Sequence, residues 1–358
     1  NIVGATEGSK PADDTPDWNG APAIVIQNYC DLTLDHMVVT GGDETVYTMS
    51  NNCGNVVIKD STINIGGAKG SSYGPFAFDV YGGFQSYSDV TVTVEGSSVI
   101  NGKIEVARGS GVQNVNSLII TGGNFNDTLS VTDNAKTKVS IAGGTFSTEP
   151  ANEYIAKGYT KERDNGKWNV VPDTTKTYVA QVGVNKYVSL ADALTAAQDG
   201  DTVKLVGNIS TDEGIGVAKK ITLDMAEYTI TSSVNQVFTV TGSGDLTITG
   251  NGTIAGPTGG AAKDLDSKAV LMVSGESAKL TVLNGTITAG GVGDCGMYGI
   301  YVADGGNVIL GDADTKTGPT IKTWFAAVGE NNTTSPANIT IYGGEYTAQA
   351  APTESNWW

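Results

Sequence analysis

The feature that most constrains this chain is a short alternating strand followed by a glycine corner, repeated along its whole length. Leu32-Thr-Leu-Asp, Val56-Val-Ile-Lys and Val90-Thr-Val-Thr-Val recur as Leu118-Ile-Ile-Thr-Gly-Gly, Val139-Ser-Ile-Ala-Gly-Gly, Leu246-Thr-Ile-Thr-Gly, Leu280-Thr-Val-Leu-Asn-Gly, Val308-Ile-Leu-Gly and Ile339-Thr-Ile-Tyr-Gly-Gly. Apolar residues at every second position give a strand one buried face, and self-similarity at a fixed period marks a repeat architecture. The steps from Leu32 to Val56 and from Gly122 to Gly143 suit one coil of about three short strands with their corners. Longer gaps such as Leu246 to Leu280 imply a loop extruded from a coil. A single coil buries its apolar half only against matching residues in the next coil, so the pattern predicts an all-β solenoid of stacked coils. A β-sandwich, which also uses short strands with regular turns, is the competing fold.

Composition agrees with an all-β chain. Gly occurs 48 times and Pro only 10, and charged residues make up 16 %. One segment departs from the pattern: in Ser189-Leu-Ala-Asp-Ala-Leu-Thr-Ala-Ala-Gln-Asp-Gly, Leu190, Ala193, Leu194 and Ala197 fall at helical spacing. Ser189 is placed to cap the helix and Gly200 to stop it, which predicts a short amphipathic helix near 189–198. A strand begins at once with Asp201-Thr-Val-Lys-Leu. An open solenoid end exposes apolar interior and strand edges, so this helix is expected to cap the second of two lobes.

The stretch from Tyr178 through that helix to Leu205 resembles the opening of pectate-lyase-like β-helix modules in surface proteins of gut Gram-positive bacteria and in fibre or decoration proteins of their phages. Gly143-Gly-Thr-Phe-Ser-Thr-Glu-Pro, continued to Tyr159 and joined by Trp168-Asn-Val-Val, resembles the closing segment of the same modules. The two signatures cover a small part of the chain, and the weaker coil repeats extend over the rest. The resemblance implies a right-handed parallel β-helix in two consecutive lobes, residues 1–172 lacking an N-terminal cap and residues 173–358 opening with the cap helix, joined by Pro172-Asp-Thr-Thr-Lys-Thr. It is informative about architecture and weak about function, because enzymes are a minority on this fold.

Charge narrows the partners. Lys and Arg total 21 against 38 Asp and Glu, a net charge of −17, and the arginines are Arg108 and Arg163 alone. Nucleic acid, anionic lipid and polyuronates need basic tracks, and none is present. No apolar run is long enough to cross a bilayer as a helix. The opening Asn1-Ile2-Val3-Gly4 does not form a signal peptide, so the chain reads as a mature or internal piece. Three cysteines, Cys30, Cys53 and Cys295, are too few for a disulfide framework. The step from Cys30 to Cys53 is close to one coil, which leaves both a bridge and two free thiols open. Asn126, Asn208, Asn251 and Asn284 lie in Asn-x-Ser/Thr triplets, acceptors only in a eukaryotic secretory route.

Candidate chemistry is sparse. His36, the single histidine, follows Asp35 at a strand end and reads as a corner residue, which excludes histidine-clustered metal sites. Asp43 with Glu44, Asp79 with Asp89, and Asp312 with Asp314 are the carboxylate pairs from which a glycosidase could be built. Gly311-Asp-Ala-Asp-Thr lacks the further positions of a calcium loop and reads as a turn. No cofactor or metal is expected. The strongest binding signal is Tyr73-Gly-Pro-Phe-Ala-Phe-Asp-Val-Tyr-Gly-Gly-Phe-Gln-Ser-Tyr87, in which Tyr73, Phe76, Tyr81, Phe84 and Tyr87 offer aromatic faces for a sugar or protein; Trp324 is a further candidate. The expectation is an extracellular, non-catalytic structural or adhesive rod on a bacterial surface or phage virion. Its partners would be a host or bacterial glycan or protein, neighbouring modules, and possible further copies of itself. A carbohydrate-active enzyme on the same fold is the alternative.

Overall fold

The computed structural model describes residues 2–3, 23–69, 71–82, 88–108, 115–131, 137–257, 269–292, 295–330 and 335–348. The protein is all-β with one α-helix among the described residues, and its strands assemble almost entirely by parallel pairing. The chain divides into two compact units, Asn1–Thr175 and Lys176–Trp358.

In unit 1 the chain places one strand in each of three sheets in turn. One circuit runs Ala23–Asn28, Leu32–Asp35 and Val38–Thr40; the next runs Thr45–Asn51, Gly54–Lys59 and Thr62–Asn64; the third runs Phe76–Gly82, Val90–Glu95 and Val99–Asn101. Each strand pairs in parallel with its counterpart one circuit away, in registers such as Val56↔Val92 and Val92↔Leu118. Successive side chains of a strand point to opposite faces, so in-register parallel pairing places like residue over like residue. Leu34, Ile58, Val94, Ile120 and Ile141 form one such ladder, and Val39, Ile63, Ile100, Phe125 and Phe146 another. All of these are buried in one core, with Phe125 and Phe146 stacked at 4.7 Å between ring centroids.

The glycine corners have a steric cause. A Cβ on Gly143 would lie 2.2 Å from the Thr121 carbonyl oxygen, and one on Gly122 would lie 2.7 Å from that of Gly96. Backbones of successive circuits approach so closely there that only glycine fits. The parallel series ends at Thr145–Phe146, which pairs antiparallel with Lys167–Pro172; that strand folds back in a hairpin on Tyr159–Asp164. Trp168 is the partner of Phe146, and Lys161 and Arg163 lie over the indole ring.

Unit 2 repeats the scheme from Thr202–Leu205, Ile209–Thr211 and Ile215–Val217 onward, with an isoleucine ladder Ile209, Ile230, Ile254, Ile287 and Ile321. Its first strand pairs antiparallel with Ala180–Val182, itself in a hairpin with Asn185–Tyr187. The helix α1 spans Leu190–Ala196 inside the expected segment. The Ser189 side chain accepts a hydrogen bond from the Asp192 amide at 3.1 Å, as its N-cap role requires. Leu190, Ala193 and Leu194 are buried in the same core as the strand ladders. The Lys219 ammonium donates to the Thr195 and Ala197 carbonyls and ties the helix end to the strands.

Substitutions in the ladder and on its outer face should separate. Ile58→Ala is expected to cost about 2–5 kcal/mol, the usual effect of a cavity in a packed core. Thr93→Ala, on the half-buried face of the next strand, is expected to cost under about 1 kcal/mol. Hydrogen exchange of strand amides in unit 1 of the full chain reads both.

Candidate functional site

A cavity of about 450 Å³ opens on the sheet formed by Ala23–Asn28, Thr45–Asn51, Phe76–Gly82, Lys103–Arg108 and Leu129–Val131. Tyrosines Tyr29, Tyr47, Tyr73 and Tyr81 line it, together with Asp79, Glu105, Ser50, Asn52 and Gln27. The scaffold determines this set. Asp79 and Glu105 are register partners on adjacent parallel strands, and Tyr81 pairs with Ala107 further along the same strands. Adjacent strands lie about 4.8 Å apart, so the two carboxyl groups project side by side from neighbouring backbones.

Both acids are buried, Asp79 at 3 % exposure and Glu105 at 5 %. Asp79 accepts from the Asn51 amide at 2.6 Å and from the Ser50 hydroxyl at 2.9 Å. Glu105 accepts from the Tyr47 hydroxyl at 2.7 Å on one oxygen and from the Tyr73 hydroxyl on the other. Tyr47 stacks on Phe76 at 5.1 Å between centroids, and Tyr73 tilts against both rings. Tyr73 itself is 51 % exposed and forms the outer lip.

The electrostatics follow from this crowding. Burial, reinforced by the Glu105 charge, pushes the Asp79 carboxyl up to about 7 against the opposing pull of the Asn51 and Ser50 hydrogen bonds. Burial likewise raises the Tyr73 hydroxyl to about 12 and moves Tyr47 higher still, with the hydrogen bonds to Glu105 acting in the same direction. Both phenols are therefore neutral donors at any physiological pH. Among the described lining residues none is basic.

Of the aromatic residues expected to bind, Tyr73 and Tyr81 line this cavity, and Phe76 is buried behind it as a stacking support. Phe84 and Tyr87 lie outside the described residues. Trp324 is half-buried in unit 2, between strands Thr320–Thr323 and Ala326–Glu330. The carboxylate pairs expected from sequence find other uses. Asp89 is exposed and accepts from the Val115 amide at 2.8 Å, so the neighbour of Asp79 is Glu105 instead. Asp43 and Glu44 occupy an exposed turn. Asp312 closes its own turn by accepting from the Asp314 and Thr315 amides. Sequence reasoning misses Tyr29, Tyr47 and Glu105, although the step from Asp79 to Glu105 equals that from Val92 to Leu118 and is an available signal.

Cys30 and Cys53 are free thiols, the first exposed and the second buried, and Cys53 donates to the Tyr29 carbonyl. The side chain of Cys295 lies outside the described residues. His36 occupies a left-handed corner with φ of 55°. Its ring, with Asp35 and Asp60, puts ligand atoms within 4.8 Å of one another. One Asp60 oxygen accepts from the Ser97 amide and hydroxyl, and the His36 Nδ1 is bonded to Asp35. A larger cavity of about 710 Å³ lies beside α1 in unit 2, bordered by Leu190, Leu194, Ile209 and Ile215 together with Asp212, Glu213 and Lys219; no aromatic side chain is among its described lining residues. No protein-family model, curated protein or solved structure matches the chain.

The raised Asp79 carboxyl sets a pH dependence of stability. The folded chain holds this proton up to about pH 7, whereas an unfolded aspartate releases it near 3.9. Stability from this group therefore falls as pH rises through that window, by on the order of a few kcal/mol, and is level above it. Asp79→Asn is expected to flatten the decline in thermal midpoint between about pH 5 and pH 8. Parallel pH profiles for the two proteins would contradict the assignment.

Proposed function

We propose that each unit is a right-handed parallel β-helix, and that the chain is an extracellular, surface-displayed module whose lateral cleft in unit 1 binds glycan. The cyclic order in which strands join three sheets supports the helical reading, and the strong preference of parallel crossovers for right-handed connections supports the hand. The resemblance of Tyr178–Leu205 and of Gly143–Val171 to modules of bacterial surface and phage fibre proteins supports the setting, a bacterial surface or a virion.

The observation that carries the binding reading is the composition of the cleft. Tyr73 and Tyr81 supply aromatic rings to its lining, while Gln27, Ser50 and Asn52 supply polar groups beside buried acceptors. A sugar ring has one apolar face that stacks on aromatic rings and a rim of hydroxyls that donate to carboxylates and amides. The absence of basic side chains from the described lining disfavours acidic sugars. Both oxygens of Asp79 and of Glu105 already accept protein hydrogen bonds, so the pair works as a fixed acceptor array.

A second reading, glycoside hydrolysis, is favoured by one observation: Asp79, with its raised carboxyl, stands directly opposite Glu105, as a general acid beside a second carboxylate would. Release of reducing ends from a glycan panel, lost in both Asp79→Asn and Glu105→Gln, would establish it.

The binding reading is tested with the full chain on a glycan array. Selective binding to a subset of glycans is expected, weakened by about tenfold or more in Tyr73→Ala, whose exposed ring lines the mouth of the cavity. No binding to any glycan, or full binding by Tyr73→Ala, would overturn it.

A further inference from the structure

We infer that the ligand of the cleft carries a positive charge, and that its class is an amino sugar with a free, protonated amine. The inference rests on the reading of the cleft as a glycan site and names its ligand more narrowly.

Two acidic side chains directly opposite each other on neighbouring strands repel, and burial strengthens that repulsion. Two other partly buried charges in the described chain, Lys161 and Asp245, meet an opposite one: Lys161 reaches Glu149 at 2.7 Å, and Lys279 lies 3.9 Å from Asp245. Among the described residues, Asp79 and Glu105 receive only neutral donors, two tyrosine hydroxyls, a serine hydroxyl and a backbone amide. The cavity that reaches them is walled by tyrosine rings, whose faces attract cations. An ammonium group brings three N–H donors and the missing positive charge into one small volume. A neutral sugar hydroxyl fits the same space but leaves the charge uncompensated. The net charge of −17 acts in the same direction, drawing cations toward the surface and repelling anions.

The experiment is calorimetric titration of the full chain with a β-1,4-linked glucosamine tetramer and with its fully N-acetylated twin, at about pH 6, below the range of α-amino groups. The two probes share ring shape and linkage and differ in the N-acetyl groups that remove the positive charge, so the salt dependence of the preference isolates the charge. The free-amine tetramer is expected to bind at least about tenfold more tightly, with the preference shrinking as salt is raised. In Glu105→Gln, checked for an unchanged far-ultraviolet dichroism spectrum, the ratio is expected to fall to within about twofold of unity, whereas Asp79→Asn, which replaces a carboxyl that already holds its proton at this pH, is expected to keep most of the preference. Equal or tighter binding of the N-acetylated twin would overturn the charge inference while leaving the glycan reading intact. Binding of neither tetramer, together with a blank glycan array, would overturn both.

Discussion

Register is the constraint on which everything else in this molecule depends. Once a strand pairs in parallel with its neighbour and the inward positions coincide, every later circuit has to repeat that alternation, because a slip of one residue would turn a whole apolar row outward. The ladder Leu34, Ile58, Val94, Ile120 and Ile141 is the result, and the glycine corners at Gly122 and Gly143 let successive backbones approach closely enough to sustain it. The antiparallel hairpin after Phe146 in unit 1, and the hairpin with α1 at the start of unit 2, mark where the repeating pairing stops. Antiparallel pairing presents a different edge from the parallel one and interrupts the stacking of like on like.

The cleft arises from the same rule combined with one departure from it. Val56 to Val92 is a longer step than Leu32 to Val56, yet both pairs are in register, so the additional chain is accommodated between strands. Part of that additional chain, between Thr62–Asn64 and Phe76–Gly82, carries Tyr73 up to the lip of the cavity. Parallel pairing does the rest, bringing Tyr47, Asp79 and Glu105 from three separate circuits to one cavity, where the Tyr47 hydroxyl donates to Glu105 and Ser50 and Asn51 donate to Asp79. Burying two acids side by side works against stability, and tyrosine, serine and amide donors offset part of that cost. A ligand supplying positive charge would remove more of it, which links the destabilised folded state to recognition.

Much of the β architecture was legible in the sequence, because strand alternation and glycine corners are local signals. The repeat Ile-Thr-Gly-Gly-Asn-Phe and its echo Ile-Ala-Gly-Gly-Thr-Phe occupy consecutive circuits with Phe125 over Phe146. The helix was equally legible from Ser189 and the spacing of Leu190, Ala193 and Leu194. The site was only half legible. Tyr73 and Tyr81 stood out because aromatic residues cluster there in sequence, whereas Glu105 lies a full circuit beyond Asp79 in an ordinary-looking strand, Lys-Ile-Glu-Val-Ala. Side-chain neighbours across parallel strands are set by the length of chain between paired strands, and that length varies: the step from Val56 to Val92 is far longer than the step from Leu118 to Val139. The variation hid the acidic pair until register was known.

The most direct test of the account is covalent capture of that register. Thr91 and Ser117 are partners on adjacent strands, both half-buried, whereas Thr91 and Leu118 face opposite sides. Cysteines introduced as Thr91→Cys with Ser117→Cys should place their Cα atoms about 5 Å apart, inside the range a disulfide requires. Peptide mapping by mass spectrometry after mild oxidation should find that bridge, and should find none between cysteines introduced as Thr91→Cys and Leu118→Cys. Failure of the first pair to link, or equal linking by the second, would contradict in-register parallel stacking.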